Sequence, residues 1–343
     1  MSAIISANSL GVSNSSLFTL GQRGAIGSAA QGRARENIYV DIANGNLVVQ
    51  KQDDLLVGRG LDLATVRTYN SQGVLDGDNN DNWRIGFYKS LLLTGTANQA
   101  GSSVVRTDGD GSTATYNYDT VAKLYRTTDG AGANDTISYS TLTGIWTRTN
   151  GSTQGTEKYD TDVTGKIGKI LSATDISGNT INYSYSGNLI SKIVDSNGET
   201  TFLDYNATNQ LIDIRIRDTS GKDTRRTSYA YDASGRLSTV ITDLTPDDNS
   251  ITDGITYIVS YTYEGASNRI ASMTQTDGTA VNFGYTLYAD GKYKLTSMTE
   301  ILAGSVTRAT SYDYTTSGLT TVTDPLGNRT VFKYDNNGQL TEI

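Results

Sequence analysis

The sequence contains no cysteine and no histidine, and only two of its 343 residues are proline. Without cysteine the chain can form no disulfide, no thiolate nucleophile and no zinc–thiolate site. Without histidine it has no imidazole base, no imidazole metal ligand and no Ser-His-Asp triad. These absences exclude most familiar catalytic centres, and we predict that the chain is not an enzyme.

Glutamate is also scarce: six of the 36 acidic residues are Glu, and the other 30 are Asp. The chain has 36 Gly and 22 Tyr. Asp and Gly favour turns, Tyr favours strands, and no stretch shows a helical period. The sequence therefore predicts an all-β fold.

Apolar residues are few for a chain of this length, at 36% even with Tyr included. This deficit favours either disorder or a fold with much polar surface, such as a solenoid or a thin shell. The net charge of −8 argues against a nucleic-acid surface. No run approaches the roughly 18 apolar residues of a membrane-spanning helix. We therefore expect neither nucleic acid nor a membrane span.

Asn-Gly and Asp-Gly pairs occur eleven times, and such pairs between alternating strands indicate β-hairpins. They suggest four regions. Residues 1–36 form a Ser/Gly/Ala-rich leader, either mobile or threaded against the inside of a larger body. Residues 37–100 form an N-terminal β region, residues 101–158 divergent hairpins, and residues 159–343 a series of repeats.

The repeat follows the pattern Tyr-Asp-x-x-Gly-x-Leu. Two copies match fully, and five are degenerate. Each copy fits two strands and two turns, so successive β-hairpins would form a continuous spiralling sheet. The residues that define the copies are Tyr185, Leu189, Tyr205, Leu211, Tyr231, Asp232, Gly235, Leu237, Tyr263, Tyr288, Leu295, Tyr314, Gly318, Tyr334, Asp335, Gly338 and Leu340.

These copies resemble the YD repeat of the rearrangement-hotspot (Rhs) family, which includes toxin-complex B and C components and the teneurin shell. Residues 231–237 and 324–340 carry the closest likeness. Residues 40–71 are similar to the segment that opens such proteins, and Asn82-Trp83-Arg84 stands where a Gly-Trp element normally follows. The resemblance implies a β-strip that spirals into a shell, or a part of one.

The resemblance also implies a function. It suggests a non-enzymatic scaffold that encloses or presents a C-terminal toxin or effector cargo in a secreted or surface-exposed bacterial protein. Residues 1–20 make a poor Sec signal because they lack a basic region and a continuous apolar stretch. The expected partners are that cargo or other copies of the chain. The alternative is an adhesive or self-assembling module that pairs through exposed edge strands.

Candidate chemical sites are weak. Asp76, Asp78 and Asn80 place oxygen ligands at alternate positions, as calcium loops do, but Asp81 stands where such loops have Gly. We expect no cofactor apart from a possible weak calcium ion there. Asp324-Pro325-Leu-Gly327 is similar to the self-protease motif of toxin relatives, yet its place in a repeat favours a turn. Paired Asp residues for glycoside hydrolysis stay open as a third alternative.

Overall fold

The computed structural model describes residues 2–7, 9–13, 15–16, 30–32, 34–73, 81–127, 132–161, 166–248, 250–302 and 306–343. The chain divides into two compact units. Unit 1 comprises Met1–Lys51, Arg67–Arg84 and Thr227–Ile343, and unit 2 comprises Gln52–Val66 and Ile85–Arg226.

The fold is all-β, as the sequence predicts. The described residues form no α-helix, and Pro246–Asp248 makes a single 3-10 turn. The first fourteen strands are β1 Ala3–Ile5, β2 Ala30–Gln31, β3 Glu36–Asp41, β4 Leu47–Leu56, β5 Leu63–Asn70, β6 Trp83–Ile85, β7 Ser90–Thr94, β8 Ser103–Thr107, β9 Thr113–Asp119, β10 Leu124–Arg126, β11 Thr136–Ser140, β12 Ile145–Thr149, β13 Thr156–Tyr159 and β14 Ile167–Thr174. The next fourteen are β15 Thr180–Ser186, β16 Leu189–Val194, β17 Thr200–Tyr205, β18 Leu211–Arg217, β19 Asp223–Tyr231, β20 Leu237–Asp243, β21 Thr256–Tyr263, β22 Ile270–Gln275, β23 Ala280–Leu287, β24 Tyr293–Ile301, β25 Thr307–Asp313, β26 Leu319–Thr323, β27 Arg329–Tyr334 and β28 Leu340–Glu342.

In unit 2, strands β7 to β14 pair in antiparallel succession, and β14 returns to pair with β7. The result is a closed eight-stranded ring. Each strand places at least one side chain in a buried apolar core, because alternate residues of a strand point to the same face. The core residues are Leu91, Leu93, Val104, Tyr116, Tyr125, Ile137, Trp146, Tyr159 and Ile170.

Strand β14 belongs to the ring and also begins the series of hairpins. Its residues Ile167–Lys169 pair with β7, and its residues Ser172–Thr174 pair with β15. From β15 onward each strand is followed by an antiparallel neighbour in sequence order. β15–β18 lie in unit 2 and β20–β28 in unit 1, and β19 spans the boundary.

Unit 1 also contains the first strands of the chain. β1 pairs in parallel with β3, and β3 pairs with β2 and β4 in antiparallel fashion. Part of the predicted leader is thus ordered sheet, with Ala3 and Ile5 fully buried. Ile5 packs with Val12 and Val48 in a small apolar cluster.

No helix that could cross a bilayer is present among the described residues.

Candidate functional site

A β-bulge immediately before a tyrosine recurs along the hairpins. The bulge shifts the strand register, so that the tyrosine faces an apolar residue near the start of the next strand. The pairs are Tyr159–Ile170, Tyr185–Ile190, Tyr205–Leu211, Tyr231–Leu237, Tyr263–Ile270, Tyr285–Leu295 and Tyr334–Leu340.

Two of these positions differ from the predicted repeat. The alignment puts Tyr288 and Leu189 there, whereas Tyr285 and Ile190 occupy them in the structure. Tyr288 instead opens the following turn, because pairing continues past the bulge as far as Leu287 and Tyr293. Tyr159 is an additional copy that the alignment missed.

Tyr314 lies outside this bulge pattern. It follows β25 directly and is buried, and its ring makes an edge contact with that of Tyr288 at a centroid distance of 5.7 Å. Gly318 after it has a φ of +71°.

The turns between repeat tyrosines and leucines use the predicted Asp and Gly. The N–H of Asp232 donates to the Arg236 carbonyl (2.9 Å), and the N–H of Asp335 donates to the Gln339 carbonyl (3.0 Å). Each Asp carboxylate also accepts backbone N–H groups within its own turn. Gly235 and Gly338 have φ values of +79° and +69°, the left-handed region that glycine enters without strain.

Four of the repeat tyrosine hydroxyls reach back to the preceding repeat. In four copies it donates to the backbone carbonyl of the apolar residue that pairs with the previous bulge. These bonds are Tyr185 to Ile170 (2.8 Å), Tyr205 to Ile190 (2.9 Å), Tyr263 to Leu237 (2.5 Å) and Tyr285 to Ile270 (3.1 Å). The hydroxyl thus satisfies a carbonyl while the ring packs between hairpins.

A basic side chain stacks on several of the same rings. The residue just before the apolar partner carries the cation, and the ring belongs to the next repeat. The pairs are Lys169 over Tyr185 (5.8 Å), Arg236 over Tyr263 (4.6 Å), Arg269 over Tyr285 (5.9 Å) and Lys294 over Tyr314 (5.5 Å). At Tyr185, Tyr263 and Tyr285 a cation–π contact and a hydroxyl bond therefore join successive repeats at the same place.

Each of several bulges leaves a backbone N–H group that donates a hydrogen bond to an upstream part of the chain. We call residues 45–88, which supply these acceptors, the acceptor segment. The bonds are Leu295 to the Gly45 carbonyl (2.9 Å), Ile270 to the Tyr69 hydroxyl (3.0 Å) and Leu237 to Asp81 Oδ2 (3.0 Å) in unit 1, and Ile190 to the Tyr88 hydroxyl (3.2 Å) in unit 2. Within unit 1 the acceptors run in the opposite order to the repeats they contact.

Asn82-Trp83-Arg84, whose role the sequence left uncertain, belongs to this segment. Trp83 Nε1 donates to the Tyr263 hydroxyl (3.1 Å), and the Trp83 N–H donates to Asp81 Oδ1 (3.0 Å). Burial raises the pKa of Tyr263, so its hydroxyl stays protonated and can donate. Trp83 is therefore a packing residue of unit 1.

A buried ion pair lies beside Trp83. Arg67 Nη2 lies 2.5 Å from Glu36 Oε1, and Arg67 Nη1 donates to the Tyr261 hydroxyl (2.7 Å). The guanidinium stacks on the rings of Trp83 and Tyr261 at 5.4 and 5.8 Å. Both charges are almost fully buried, so each depends on the other.

Unit 2 holds a larger charged network at one end of the ring. Five of its members lie two residues from a core residue, so they share the face of the core: Lys89, Arg106, Asp135, Arg148 and Glu157. Glu157 is the centre: Lys89 Nζ (2.8 Å), Arg106 Nη2 (3.0 Å), Arg148 Nη1 (2.9 Å) and the Tyr159 hydroxyl (2.7 Å) all contact its carboxylate. Arg148 also pairs with Asp135, and Arg106 with Asp108 (3.0 Å).

The charges of this network stabilise one another. Burial alone would raise the pKa of Asp108, but Arg106 and Lys89 hold it at about 2. Burial likewise opposes ionisation of Glu157, yet Lys89, Arg106 and Arg148 keep its pKa well below the usual range. Three cations face three carboxylates, so the charges of the network balance. The network therefore consists of structural ion pairs that join strands of the ring.

A pocket of about 330 Å³ borders this charged network. Lys89, Arg148 and Glu157 contribute to its lining, with Phe87 and Tyr183 among the walls. All three charged groups are already engaged in ion pairs.

The remaining predicted sites are accounted for as follows. Asp324 is a turn residue whose carboxylate accepts from Leu326 and Asn328. Asp76, Asp78 and Asn80 lie outside the described residues. Across the described ranges no three acidic or other metal-ligating side chains form a ready metal site.

Sequence reasoning missed the ring network and the acceptor segment. Both join residues far apart in sequence, such as Asp81 with Leu237, and local spacing carries no signal for such pairs. A partial signal was present in the alternation of charged and apolar residues at Lys89 and Leu91, Val104 and Arg106, and Glu157 and Tyr159.

Comparison with known families agrees with the repeat geometry. Residues 314–343 match the RHS Repeat family. The C-terminal part of the chain therefore carries an RHS, or YD, repeat. Residues 39–116 match a domain of unknown function, DUF6531, which covers the acceptor segment, the first two strands of the ring and part of the third. No curated protein matches the chain.

Several solved structures are similar to the chain at low identity. A porin-like protein from Bacteroides uniformis is 13% identical over 74% of this chain and 97% of its own, with a TM-score of 0.30. The Photorhabdus luminescens Tc holotoxin pore is 13% identical over 90% of this chain and 20% of its own (TM-score 0.26). The TcdB2–TccC3 structure is 12% identical over 95% and 22% (TM-score 0.21). The chain thus spans about a fifth of the length of these toxin chains. TM-scores this low do not establish that the chain shares the overall shape of these structures.

Proposed function

We propose that this chain is a non-enzymatic scaffold that encloses or presents a C-terminal toxin or effector cargo in a secreted or surface-exposed bacterial protein. The observation that carries the proposal is the use of the repeat's polar groups. Tyrosine hydroxyls bond to the preceding repeat, turn carboxylates to amides of their own turn, and bulge amides to the acceptor segment, so these groups hold the strip together. Because these polar groups are engaged in structural hydrogen bonds, the observation favours a scaffold over a catalytic surface.

Protection of the cargo from protease tests this proposal. The full-length gene product, with whatever segment its reading frame encodes after Ile343, is treated with trypsin, and cleavage is followed by mass spectrometry. The same downstream segment expressed alone is the control. We expect the segment to be cleaved at least tenfold more slowly in the full-length protein. Equal rates for the two would contradict enclosure.

A second candidate is a self-assembling or adhesive module. Strand β28 pairs with β27 through two residue pairs, Lys333 with Glu342 and Tyr334 with Leu340. An open strand edge can template pairing with another copy. Negative-stain microscopy and sedimentation velocity separate the candidates: discrete particles of one size favour the scaffold, and filaments that Thr341→Pro dissolves favour the second.

An enzyme is the third alternative. Hydrolysis of a glycan that a single Asp→Asn substitution abolishes would overturn both proposals.

A further inference from the structure

Three acidic residues lie side by side in unit 2, each one position beyond the end of strand β16, β17 or β18. The register pairs Val194 with Thr200 and Thr200 with Arg217. One residue further along, Asp195, Glu199 and Asp218 therefore face one another in a row. The Asp195 N–H bonds to the Glu199 carbonyl (3.1 Å), which fixes the first pair. Like charges directly opposite each other destabilise a sheet unless something neutralises them.

In two other turns of this kind, the side chain of the fifth residue donates a hydrogen bond to the first Asp. Asn179 Nδ2 donates to Asp175 Oδ2 (2.8 Å), and Asn328 Nδ2 donates to Asp324 Oδ2 (2.9 Å). In the Asp195 turn the fifth residue is Glu199, whose carboxylate can only accept. The turn therefore has an acceptor where its counterparts have a donor.

The missing donor leaves buried oxygen atoms without a partner. Asp195 is 4% exposed; its Oδ1 accepts from Asn197 and Glu199, and its Oδ2 has no hydrogen-bond partner. In the counterpart turns Oδ2 accepts from the side chain of the fifth residue, and the fifth residue of this turn is Glu199. Thr201 is fully buried two residues further along the same face, and its Oγ1 also lacks a partner.

No basic side chain compensates this row. Within the described ranges no ion pair includes Asp195, Glu199 or Asp218, whereas the acids next to them are paired: Asp204 with Arg215 (2.6 Å), Asp213 with Arg226 (3.0 Å) and Asp223 with Arg217 (2.6 Å). Burial and the charges of Asp195 and Asp218 raise the pKa of Glu199. Negative charge is therefore concentrated at the middle of the row.

We propose that Asp195, Glu199 and Asp218, the acid row, bind a divalent cation of the calcium type, with Thr201 Oγ1 as a further oxygen ligand. A hard cation fits because every available ligand is an oxygen. The carboxylates do not converge in the unbound arrangement. Binding requires the half-buried Glu199 side chain to turn toward Asp195 Oδ2, which a long side chain at a turn can do.

Calcium-dependent stability tests the site. Thermal unfolding of the full chain is measured in EDTA and in 10 mM CaCl2, at constant ionic strength, with calcium titration calorimetry as a second readout. Glu199→Asn restores the donor found at Asn179 and Asn328. Glu342→Gln removes an exposed carboxylate elsewhere and is the matched control.

We expect calcium to raise the Tm of the wild type and of E342Q by about 2–4 °C, with one site seen by calorimetry. E199N should lack both the rise and that site, and should exceed the wild type in Tm when EDTA is present. An equal calcium response in E199N would overturn the proposal, because the ion would bind elsewhere, for example at Asp76–Asn80. A wild type that ignores calcium while E199N is stabilised would also overturn it, since a shared proton would then neutralise the row.

Discussion

At the scale of single residues, the tyrosine hydroxyl joins one repeat to the next. Tyr263 shows the full set of contacts: it donates to the Leu237 carbonyl, accepts from Trp83 Nε1 and lies under the Arg236 guanidinium. Removing the hydroxyl leaves two buried polar groups unsatisfied. An unsatisfied buried group costs more than the net value of the bond it loses.

We therefore predict that Tyr263→Phe lowers the free energy of unfolding by about 1–3 kcal/mol, measured by urea titration. Tyr293→Phe is the matched control, because Tyr293 is 38% exposed and its ring, which carries the stacked Arg269, is retained. The control should change stability by less than about 0.5 kcal/mol. Equal losses in the two variants would show that the hydroxyl bond is not the cause.

The buried pair Arg67–Glu36 makes a second residue-scale prediction. Arg67→Met leaves the Glu36 carboxylate buried without its cation, so we expect a loss of about 3–5 kcal/mol. The double variant Glu36→Gln/Arg67→Met removes both charges and should lose less. Fluorescence of Trp83 in a Trp146→Phe background reports on unit 1 alone. A double variant as unstable as the single one would contradict charge burial as the cause.

At the scale of elements, the stability of the eight-stranded ring depends on its charged network. Asp108 has a pKa of about 2 in the folded ring against 3.8 in the unfolded chain. A lowered carboxyl pKa adds stability that is present above pH 3.8 and lost as the pH falls toward 2. The difference corresponds to about 2 kcal/mol.

We predict that the ring of the wild type loses about 2 kcal/mol more than that of Asp108→Asn between pH 5 and pH 2. Trp146 fluorescence in a Trp83→Phe background follows the ring during urea titration at each pH. Glu342→Gln should keep the wild-type profile. Parallel profiles for the wild type and D108N would rule out a stabilising role for the Asp108 charge.

Local elements follow from the sequence because their causes are local. Asp232 and Gly235 predict the turn between β19 and β20, since Asp binds its own downstream amides and Gly enters the left-handed region. The same reasoning misplaces Tyr288, because the number of residue pairs past the bulge depends on cross-strand contacts that the Tyr-to-Leu spacing does not reveal. Ring closure through Ile167 and Leu92 could not be predicted, since those residues are 75 positions apart and neither carries a pairing signal.

At the scale of the whole molecule, the account rests on the relation between the acceptor segment and the repeats. A repeat hairpin is marginal alone, and each bulge leaves an amide that its own ladder does not use. The acceptor segment accepts hydrogen bonds from four of these amides, those of Leu295, Ile270, Leu237 and Ile190. In each case the donor and the acceptor lie in the same unit. The central claim is that this upstream segment fixes the register of the repeats.

Amide hydrogen exchange, resolved to single residues by mass spectrometry, tests that claim most directly. Asp81→Ala removes the acceptor of the Leu237 amide and leaves Tyr69, the acceptor of the Ile270 amide, in place. We predict that both amides are protected in the wild type and that D81A speeds exchange at Leu237 at least tenfold while Ile270 is unchanged. A Leu237 amide that exchanges as fast as turn amides in the wild type, or that ignores D81A, would contradict the account.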